Sequence, residues 1–425
     1  MIGRIGSLEM WIAGTRNTLM FYNRCRGDAR LKLRLAGRFP VVFTGALARG
    51  RINRFPHSPL ARFSEIVPSM KFHHEALEKV TKAIFSKAGC ESPEDEQVAG
   101  HLVDANLVGH DSHGVIRITR YIEWLQKDIV RVNRKVSVVF ESEVISVLDG
   151  DRGFGQSIGE QAMTYVIDKV GKHGVSILAL RNCGHLGRIG EWATMGANAG
   201  CVSLHWVNTN GFGILVAPHG GSERRLSANP IAAAVPLEGK APIVLDISTS
   251  AIAEGKVRVA WNKGESIPPD CMLDGQGNPS TNPGDLYADP KGSLLSFGAH
   301  KGYGLGLLTD ILAGALTGSG CSAPGTPVLV NGMLVILLDP AAFGGGNAAA
   351  AFSEDLQKFV EWVKSARTAD PNGEILLPGE VEERTREKRL KEGIELDEKT
   401  WEDILASADS VGLPRAEAEA LAGVS

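Results

Sequence analysis

The sequence predicts an α/β fold. Short apolar runs of strand length alternate with segments whose apolar residues have helical spacing, which is the pattern of α/β proteins. Glycine makes up 50 of the 425 residues, well above the usual share of about 7%. Many positions therefore need positive φ angles or close backbone approach, as loops that hold phosphate groups do.

The predicted elements follow from these periodicities. We expect a helix from Ser92, with Ser92 as its cap and Pro93 in its first turn. Further helices are predicted over residues 115–126, 159–170, 190–199, 252–261, 301–316 and 380–391. Strands are predicted over residues 144–148, 175–180, 202–207, 243–246 and 328–338, and residues 264–290 are predicted to be an irregular loop.

The first 69 residues differ from the rest of the chain. They hold twelve Lys or Arg against three Asp or Glu, a net charge of +9, and show no sustained periodicity. We predict a disordered extension, either an organelle transit peptide or, as we favour, an upstream extension of the reading frame with Met70 as the natural start. The remaining chain divides into a helical segment (70–140), an α/β core (141–320) and a returning C-terminal part (321–425).

Composition excludes several classes of function. The body beyond residue 69 carries a net charge of −13, which argues against a nucleic-acid partner because phosphates need a basic face. No apolar run approaches the roughly 18 residues of a membrane helix. The six cysteines form no CxxC pair, which indicates reduced thiols in a cytoplasmic protein without structural zinc.

The segment Gly109–Tyr121 is the first candidate for chemistry. His113, Arg117 and Tyr121 follow at intervals of four, so on a helix capped by Asp111 or Ser112 they would share one face. An imidazole exchanges protons near neutral pH, and a guanidinium holds a carboxylate through two parallel hydrogen bonds. This pair suits the reduction of a 2-oxo acid. The alternative is a capped helix start whose charged side chains only meet solvent.

A second histidine follows a predicted strand. His185 lies in Asn182–Gly190, between the strand over residues 175–180 and a helix. Ligands collect at the carboxyl ends of strands in α/β sheets, so His185 is a candidate site residue. The alternative is a tight turn that contains an incidental histidine.

Two later segments suggest anion binding. Asp246 could accept hydrogen bonds from ribose hydroxyls, and Ser248, Thr249 and Ser250 could hold phosphate at a helix N-terminus or simply cap that helix. In His300–Gly306, Lys301 offers a cation for a pyrophosphate, although its glycines could equally serve close helix packing.

Two apparent motifs carry less weight. Gly153–Gly159 resembles a dinucleotide fingerprint but has the wrong final spacing, and no phosphate-loop motif occurs, so we do not expect an ordinary Rossmann domain. His110 and His113 beside Asp111 lack a second cluster of ligands, so we expect no metal site.

Six segments in this order resemble the malate/L-lactate dehydrogenase type 2 family, which includes sulfolactate and ureidoglycolate dehydrogenases. They are Asp111–Arg117, Gly184–Gly187, Ser227–Ile231, Leu245–Ser250 with Glu254–Lys256, Lys301–Gly304 and Leu377–Glu380. The resemblance covers Met70 to about Leu405. It implies a non-Rossmann NAD(P)-binding α/β fold with a helical N-terminal segment, and a homodimer with sites near the subunit interface.

The resemblance also implies roles for individual residues. His113 and His185 would be catalytic, and Ser112, Arg117 and Tyr121 would contact substrate. The predicted cofactor contacts are Asn208, Asp246, Ile247, Ser248, Thr249, Ser250, His300, Lys301 and Gly379. The chain departs from the family pattern at Ser227–Ala228, where Gly-Thr is commoner, and in the long Asn208–Gly213 segment.

We therefore predict an oxidoreductase that uses NAD or NADP to interconvert a small 2-hydroxy acid and its 2-oxo acid. A hydrolase or lyase using His113 and His185, or a binding protein without catalysis, are the alternatives. The sequence leaves open the individual acid or cyclic imine, because one group in a pocket changes preference by only about 1–3 kcal/mol. His219, Arg224 and Arg225 could recognise the 2′-phosphate of NADP or be surface charges.

Overall fold

The structure is a computed structural model that describes residues 3–5, 8–15, 18–22, 69–211, 213–325 and 328–424. The chain divides into two units, residues 1–64 and 65–425. In the first unit, strands β1 (Gly3–Ile5), β2 (Leu8–Thr15) and β3 (Thr18–Tyr22) form an antiparallel sheet in the order β1-β2-β3. Sequence periodicity does not predict these strands, and the rest of the predicted N-terminal extension lies outside the described residues.

The second unit begins with a short strand that is followed by three helices. Strand β4 (Ser69–Phe72) leads into α1 (His74–Lys87), α2 (Glu94–Leu107) and then α3 (Arg117–Gln126). At the end of the chain, α9 (Glu380–Glu392), β17 (Ile394–Asp397), α10 (Glu398–Ser410) and α11 (Arg415–Leu421) return to these helices, and β17 pairs with β4. Side chains from both ends of the unit share one apolar core, which includes Leu77, Leu102, Ile118, Trp401 and Ile404.

A seven-stranded sheet forms the centre of the second unit. Its order is β12 (Ile243–Ser248), β11 (Pro230–Val235), β8 (Val202–Asn210), β16 (Val330–Leu338), β7 (Val175–Cys183), β6 (Ile145–Asp149) and β5 (Ser137–Glu141). Of its six neighbouring pairs only β6 and β7 are parallel. Helix α4 (Gly155–His173) connects those two strands, because parallel neighbours need a crossover. Together with α5 (Ile189–Asn198), it buries an apolar core that includes Ile158, Met163, Leu178 and Trp192.

A smaller five-stranded sheet has the order β10 (Leu226–Ser227), β9 (Ile214–Val216), β15 (Ser293–Leu294), β13 (Met272–Leu273) and β14 (Pro279–Ser280). Helix α6 (Glu254–Asn262) packs here through the fully buried Val257. Helix α7 (His300–Asp310) continues into a π-helical turn, Ile311–Ala315. Helix α8 (Ala348–Lys364) follows β16.

The α/β class is confirmed, and each helix or strand predicted from periodicity is present with shifted ends. Helix α2 begins at Glu94 after Pro93 and has no side-chain cap, so the prediction that Ser92 caps it is wrong. The predicted loop over residues 264–290 contains β13 and β14, and the helix predicted over 301–316 ends in the π-helical turn. Among the described residues no helix is long and apolar enough to cross a membrane. The predicted domain boundaries stay predictions.

Candidate active site

Two imidazole rings lie face to face at the centre of the site. His113 belongs to a short 3-10 turn, Asp111–His113, that precedes α3, and His185 follows the end of β7. Their ring centroids are 5.8 Å apart and their planes differ by only 6°. Residues 72 positions apart in the sequence are therefore brought together as the sequence predicts, although His113 lies before the helix rather than on its face.

Arg117 lies directly beside this pair. Its Nε donates a hydrogen bond to the Ser112 carbonyl oxygen at 2.6 Å, and the Ser112 hydroxyl lies 3.2 Å from His113 Nδ1. Binding through Nε fixes the guanidinium plane, and no hydrogen bond joins its two terminal nitrogens to any described residue. Those nitrogens are the ones that grip a carboxylate. Burial lowers the pKa of Arg117, whereas Tyr121 and Glu254 raise it.

Both imidazoles are neutral at pH 7. Burial, followed by the charge of Arg117, lowers the pKa of His185 to about 3. The same two causes, with His185 as a further one, hold the pKa of His113 well below its ordinary value. A substrate carboxylate on Arg117 would offset that positive charge, so its binding should raise the proton affinity of both rings.

Tyr121 is buried behind His185. The side chain is 1% exposed, and its hydroxyl lies 2.8 Å from His185 Nδ1. Gln156 Nε2 donates to the same hydroxyl at 2.9 Å. Tyr121 therefore supports His185, because long-range packing buries this face of α3, and the predicted substrate contact stays a prediction.

The turn that carries His113 is held by residues that the sequence analysis missed. Asn106 Oδ1 accepts the Val115 amide at 2.8 Å, and Asn106 Nδ2 donates to Asp111 at 2.6 Å. Arg389 of α9 binds both Asp111 carboxylate oxygens, the closer at 2.6 Å, and also the Asn106 carbonyl oxygen. Asp111 is thus tied to α2 and α9. Helix α3 has no side-chain cap, so the prediction that Asp111 or Ser112 caps it is wrong. No local spacing connects these residues.

Asp246 joins the predicted cofactor segment to this centre. Its Oδ2 accepts the Gly190 amide at 2.8 Å and lies 4.0 Å from His110 Nδ1, while the side chain remains 15% exposed. At the other end of the segment, a Cβ built on Gly255 would lie 2.7 Å from Ser112 Cβ. The chain from Asp246 to Gly255 therefore packs against the turn that carries His113.

The hydroxyl groups after Asp246 are used by the protein itself. Ser248 lies in β12 and donates to the Ala228 carbonyl at 2.9 Å, and Ser250 donates to the Ile252 carbonyl at 2.8 Å. Thr249 is 2% exposed and packs against Gly306 of α7. Helix α6 begins only at Glu254, so the prediction of a helix N-terminus at residues 248–250 is wrong. Ile247 lies half-buried in the same strand.

Asn208 is also occupied by the protein. It is fully buried, donates to Asp310 Oδ1 and the Gly320 carbonyl at 2.9 and 2.8 Å, and accepts the Gly332 amide at 3.1 Å. Asn208 therefore joins β8 to β16 and α7, and the predicted cofactor contact at this residue stays a prediction.

The first turn of α7 presents an ammonium group and an imidazole to solvent. His300 and Lys301 are exposed there, and Ala299 just before them has a φ of +55°. The His300 ring lies 5.9 Å from that of His219. An ammonium group at a helix N-terminus has the chemistry that a pyrophosphate requires. The segment after Asp246 contacts α7 through Thr249, so the helix that carries His300 and Lys301 packs against it.

The other predicted cations are engaged elsewhere. Arg224 donates to the backbone carbonyls of Gly292 and Leu286, and Arg225 pairs with Glu223. Arg224 therefore holds loops together, and His219 is the proposed 2′-phosphate contact whose ring lies near that of His300.

Gly379 lies at the start of α9 with a φ of +97°, a backbone conformation that favours glycine. The preceding Pro378 carbonyl accepts the Val244 amide at 3.0 Å. A Cβ on Gly379 would lie 3.2 Å from Val244 N. This places Gly379 against β12, two residues from Asp246.

Among residues that the structure describes, no group of three or more His, Cys, Asp or Glu side chains could hold a metal ion.

Comparison with known proteins identifies the family. Residues 72–405 match the family model described as malate/L-lactate dehydrogenase. Hydroxycarboxylate dehydrogenase B of Escherichia coli (strain K12) is 41% identical over 349 residues, which cover 81% of this chain and 95% of that protein. The chain belongs to the malate/L-lactate dehydrogenase family.

Other members of this family extend the comparison. L-lactate dehydrogenase of Cupriavidus necator is 35% identical over 327 residues, covering 76% of this chain and 93% of that protein. The solved structure of sulfolactate dehydrogenase from Methanocaldococcus jannaschii has a TM-score of 0.72 at 32% identity and covers 82% of this chain and 99% of that one. These relatives are dehydrogenases, so the predicted enzyme class, an oxidoreductase, is confirmed and a hydrolase or lyase is not supported.

Proposed function

We propose that this protein is an NAD(P)-dependent dehydrogenase that interconverts a small 2-hydroxy acid and its 2-oxo acid. The observation that carries the proposal is the stacked pair of His113 and His185, 5.8 Å apart, beside a guanidinium oriented by Ser112. It gives one site the two functions that this reaction needs, an anchor for the carboxylate and a proton-exchanging group for the oxygen. The names of the relatives, which act on hydroxycarboxylates, lactate and sulfolactate, support the same class of substrate.

The residues present fit a nicotinamide dinucleotide. Lys301 and His300 at the start of α7 would hold the pyrophosphate, and Asp246, which keeps part of its carboxylate open, would accept from a ribose hydroxyl. Ile247, Ser248 and Gly379 lie along the same edge of β12 and stay proposed contacts. The bound cofactor, NAD or NADP, would supply or accept the hydride.

The chain itself positions and protonates the substrate. Arg117 holds the carboxylate by its terminal nitrogens, which sets the reacting carbon beside the imidazole pair. In oxidation a neutral imidazole accepts the hydroxyl proton, and in reduction it returns that proton to the oxygen. The lowered pKa values keep both rings neutral at pH 7, which suits proton acceptance during oxidation. Reduction requires a protonated ring, and a substrate carboxylate bound to Arg117 would favour that form.

We further propose that the cofactor-binding fold is not a Rossmann fold and that the protein forms a homodimer. Five of the six strand pairs in the large sheet are antiparallel, whereas a Rossmann sheet is mostly parallel. Large apolar residues are exposed along α7, its π-helical turn and the residue directly after it: Leu305, Leu307, Leu308, Ile311 and Leu316. Such a surface supports burial against a second copy next to His300 and Lys301. Measurement of the molar mass in solution tests the proposed homodimer.

A cytoplasmic location is part of the same proposal. The five cysteines in the described part of the chain are free thiols, and four of them are buried, which is usual in a reducing compartment.

The test of the proposed function is an absorbance screen of the purified protein. A panel of 2-oxo acids, with a cyclic imine carboxylate included, is offered with NADH and with NADPH. We expect oxidation of one reduced cofactor with at least one 2-oxo acid. Cofactor binding without turnover on any compound would instead support a binding protein, and failure of both cofactors to bind would refute the proposal.

A further inference from the structure

The hydrogen bonds around His185 run in one direction, from Gln156 to Tyr121 to His185. Gln156 Nε2 donates to the Tyr121 hydroxyl oxygen at 2.9 Å, and that oxygen lies 2.8 Å from His185 Nδ1. Both Gln156 and Tyr121 are 1% exposed. The Tyr121 hydroxyl and Gln156 Nε2 therefore depend on each other rather than on bulk water, while Gln156 Oε1 is buried without a hydrogen-bond partner among the described residues.

The direction follows from the orientation of the Gln156 amide. Its Nε2 also donates to the His185 backbone carbonyl at 3.3 Å. A carbonyl oxygen can only accept, so the amide must present its nitrogen to this corner. The Tyr121 hydroxyl accepts from this amide and must itself donate, because it is buried. Among the described residues its hydrogen-bond partners are Gln156 Nε2 and His185 Nδ1, so Nδ1 is the acceptor that satisfies the hydroxyl hydrogen.

This arrangement decides which nitrogen of His185 carries hydrogen. A neutral imidazole has one protonated and one bare nitrogen. Because Nδ1 accepts from Tyr121, the hydrogen lies on Nε2. No hydrogen bond joins Nε2 to a described residue, so this in-plane N–H is available to a substrate oxygen at the edge of the stacked pair.

We infer that Gln156 is a positioning residue: it orients the Tyr121 hydroxyl, fixes neutral His185 with its proton on Nε2, and so makes His185 a hydrogen-bond donor to the substrate oxygen. His113 is then the ring that exchanges the proton. This division of roles rests on the proposed function, whereas the tautomer does not.

The chemical step balances with these roles. In oxidation the substrate O–H bond breaks and its proton bonds to neutral His113, while the hydride leaves the reacting carbon for the oxidised nicotinamide. His185 keeps its Nε2 proton throughout and stabilises the oxygen through a hydrogen bond. His113 then releases the proton to solvent. Burial of Tyr121 raises its pKa to about 12, which keeps its hydroxyl protonated.

The test reads the tautomer directly, by nitrogen NMR of the full-length protein labelled with ¹⁵N-histidine. The His185 signals are assigned by their loss in His185→Gln. We expect a bare Nδ1 and a protonated Nε2 in the unaltered protein at neutral pH. In Gln156→Glu the new carboxylate accepts the Tyr121 hydroxyl, so the His185 hydrogen should move to Nδ1. The matched control is Gln161→Glu, the same change on the same helix, which should leave the tautomer as it is.

Kinetics supply a second readout. Gln156→Glu should lower kcat for a 2-oxo acid by roughly 100-fold, the usual effect of losing a hydrogen-bond donor to a developing oxyanion, with an unchanged cofactor Kd. Tyr121→Phe, which removes the hydroxyl, should leave His185 with a mixture of tautomers and lower kcat similarly. A hydrogen on Nδ1 in the unaltered protein would overturn the inference. A hydrogen on Nε2 without any turnover would leave the tautomer standing and refute the proposed function.

Discussion

Substitution of Gly255 by alanine tests how closely α6 packs on the turn that carries His113. The added Cβ would lie 2.7 Å from Ser112 Cβ, whereas ordinary contacts begin at 3.4 Å. The two segments must therefore separate by about 0.7 Å or more, the difference between these distances. Overpacking of this kind costs about 1–3 kcal/mol. A shift of about 1 Å in a catalytic group can cost about 100-fold in rate.

We expect Gly255→Ala to lower kcat/KM for the 2-oxo acid roughly 10- to 100-fold and to lower the free energy of unfolding by about 1–3 kcal/mol. Cofactor absorbance gives the rates, and denaturant unfolding gives the stability. The control is Gly171→Ala in α4, where an added Cβ meets no atom within 4 Å. That change should keep full activity and stabilise the protein by about 0.5–1 kcal/mol. If Gly255→Ala behaves like Gly171→Ala, the packing of α6 on Ser112 is refuted.

Three further substitutions test other parts of the account. Arg117→Met should lower kcat/KM for the 2-oxo acid roughly 100- to 1,000-fold, about 3–4 kcal/mol. It should also raise the pKa of His185 in an NMR titration, because a positive charge is lost. Unchanged kinetics would remove Arg117 from the site. Lys301→Ala should weaken cofactor binding roughly 2- to 5-fold at low salt and less at high salt. The control variant Lys263→Ala should leave cofactor binding unchanged. An unchanged cofactor Kd in Lys301→Ala would refute the predicted pyrophosphate contact. Burial lowers the pKa of the fully buried His205 from 6.5 to about 3. The unfolded chain therefore binds a proton at this residue before the folded chain does, and the free energy of unfolding falls as the pH drops from 6.5 toward 3, by about 4–5 kcal/mol in all. Unfolding measured against pH should show a shallower acid slope in His205→Gln, and an equal slope would contradict the assignment.

The sequence predicted His113, Arg117 and His185 better than the residues that hold them in place. Strand length and glycine placement put His185 after a strand, and helical spacing linked His113 to Arg117. Neither signal shows which face of a helix a distant partner covers. Tyr121 is therefore found behind His185, held by Gln156, because residues from α4 and the end of β7 close over that face.

The end of β12 shows a second kind of error. Ser248 reads as the start of a polar turn, yet it lies in a strand because β11 pairs with β12 as far as Pro230 and Ser248. Strand β11 is rich in alanine and begins with proline, so local propensity does not predict it. The structural role of Asn208 could not be predicted from local sequence either, because its partners, Asp310, Gly320 and Gly332, are all more than 100 residues away.

The most direct test of the central claim is a label-transfer experiment. The protein is supplied with a reduced nicotinamide cofactor that carries deuterium on the transferable position, together with the best 2-oxo acid from the screen. The account predicts deuterium on the carbon that bears the new hydroxyl group, in product from the unaltered enzyme, and little product from Arg117→Met. Unlabelled product formed at the same rate would contradict hydride transfer at this site.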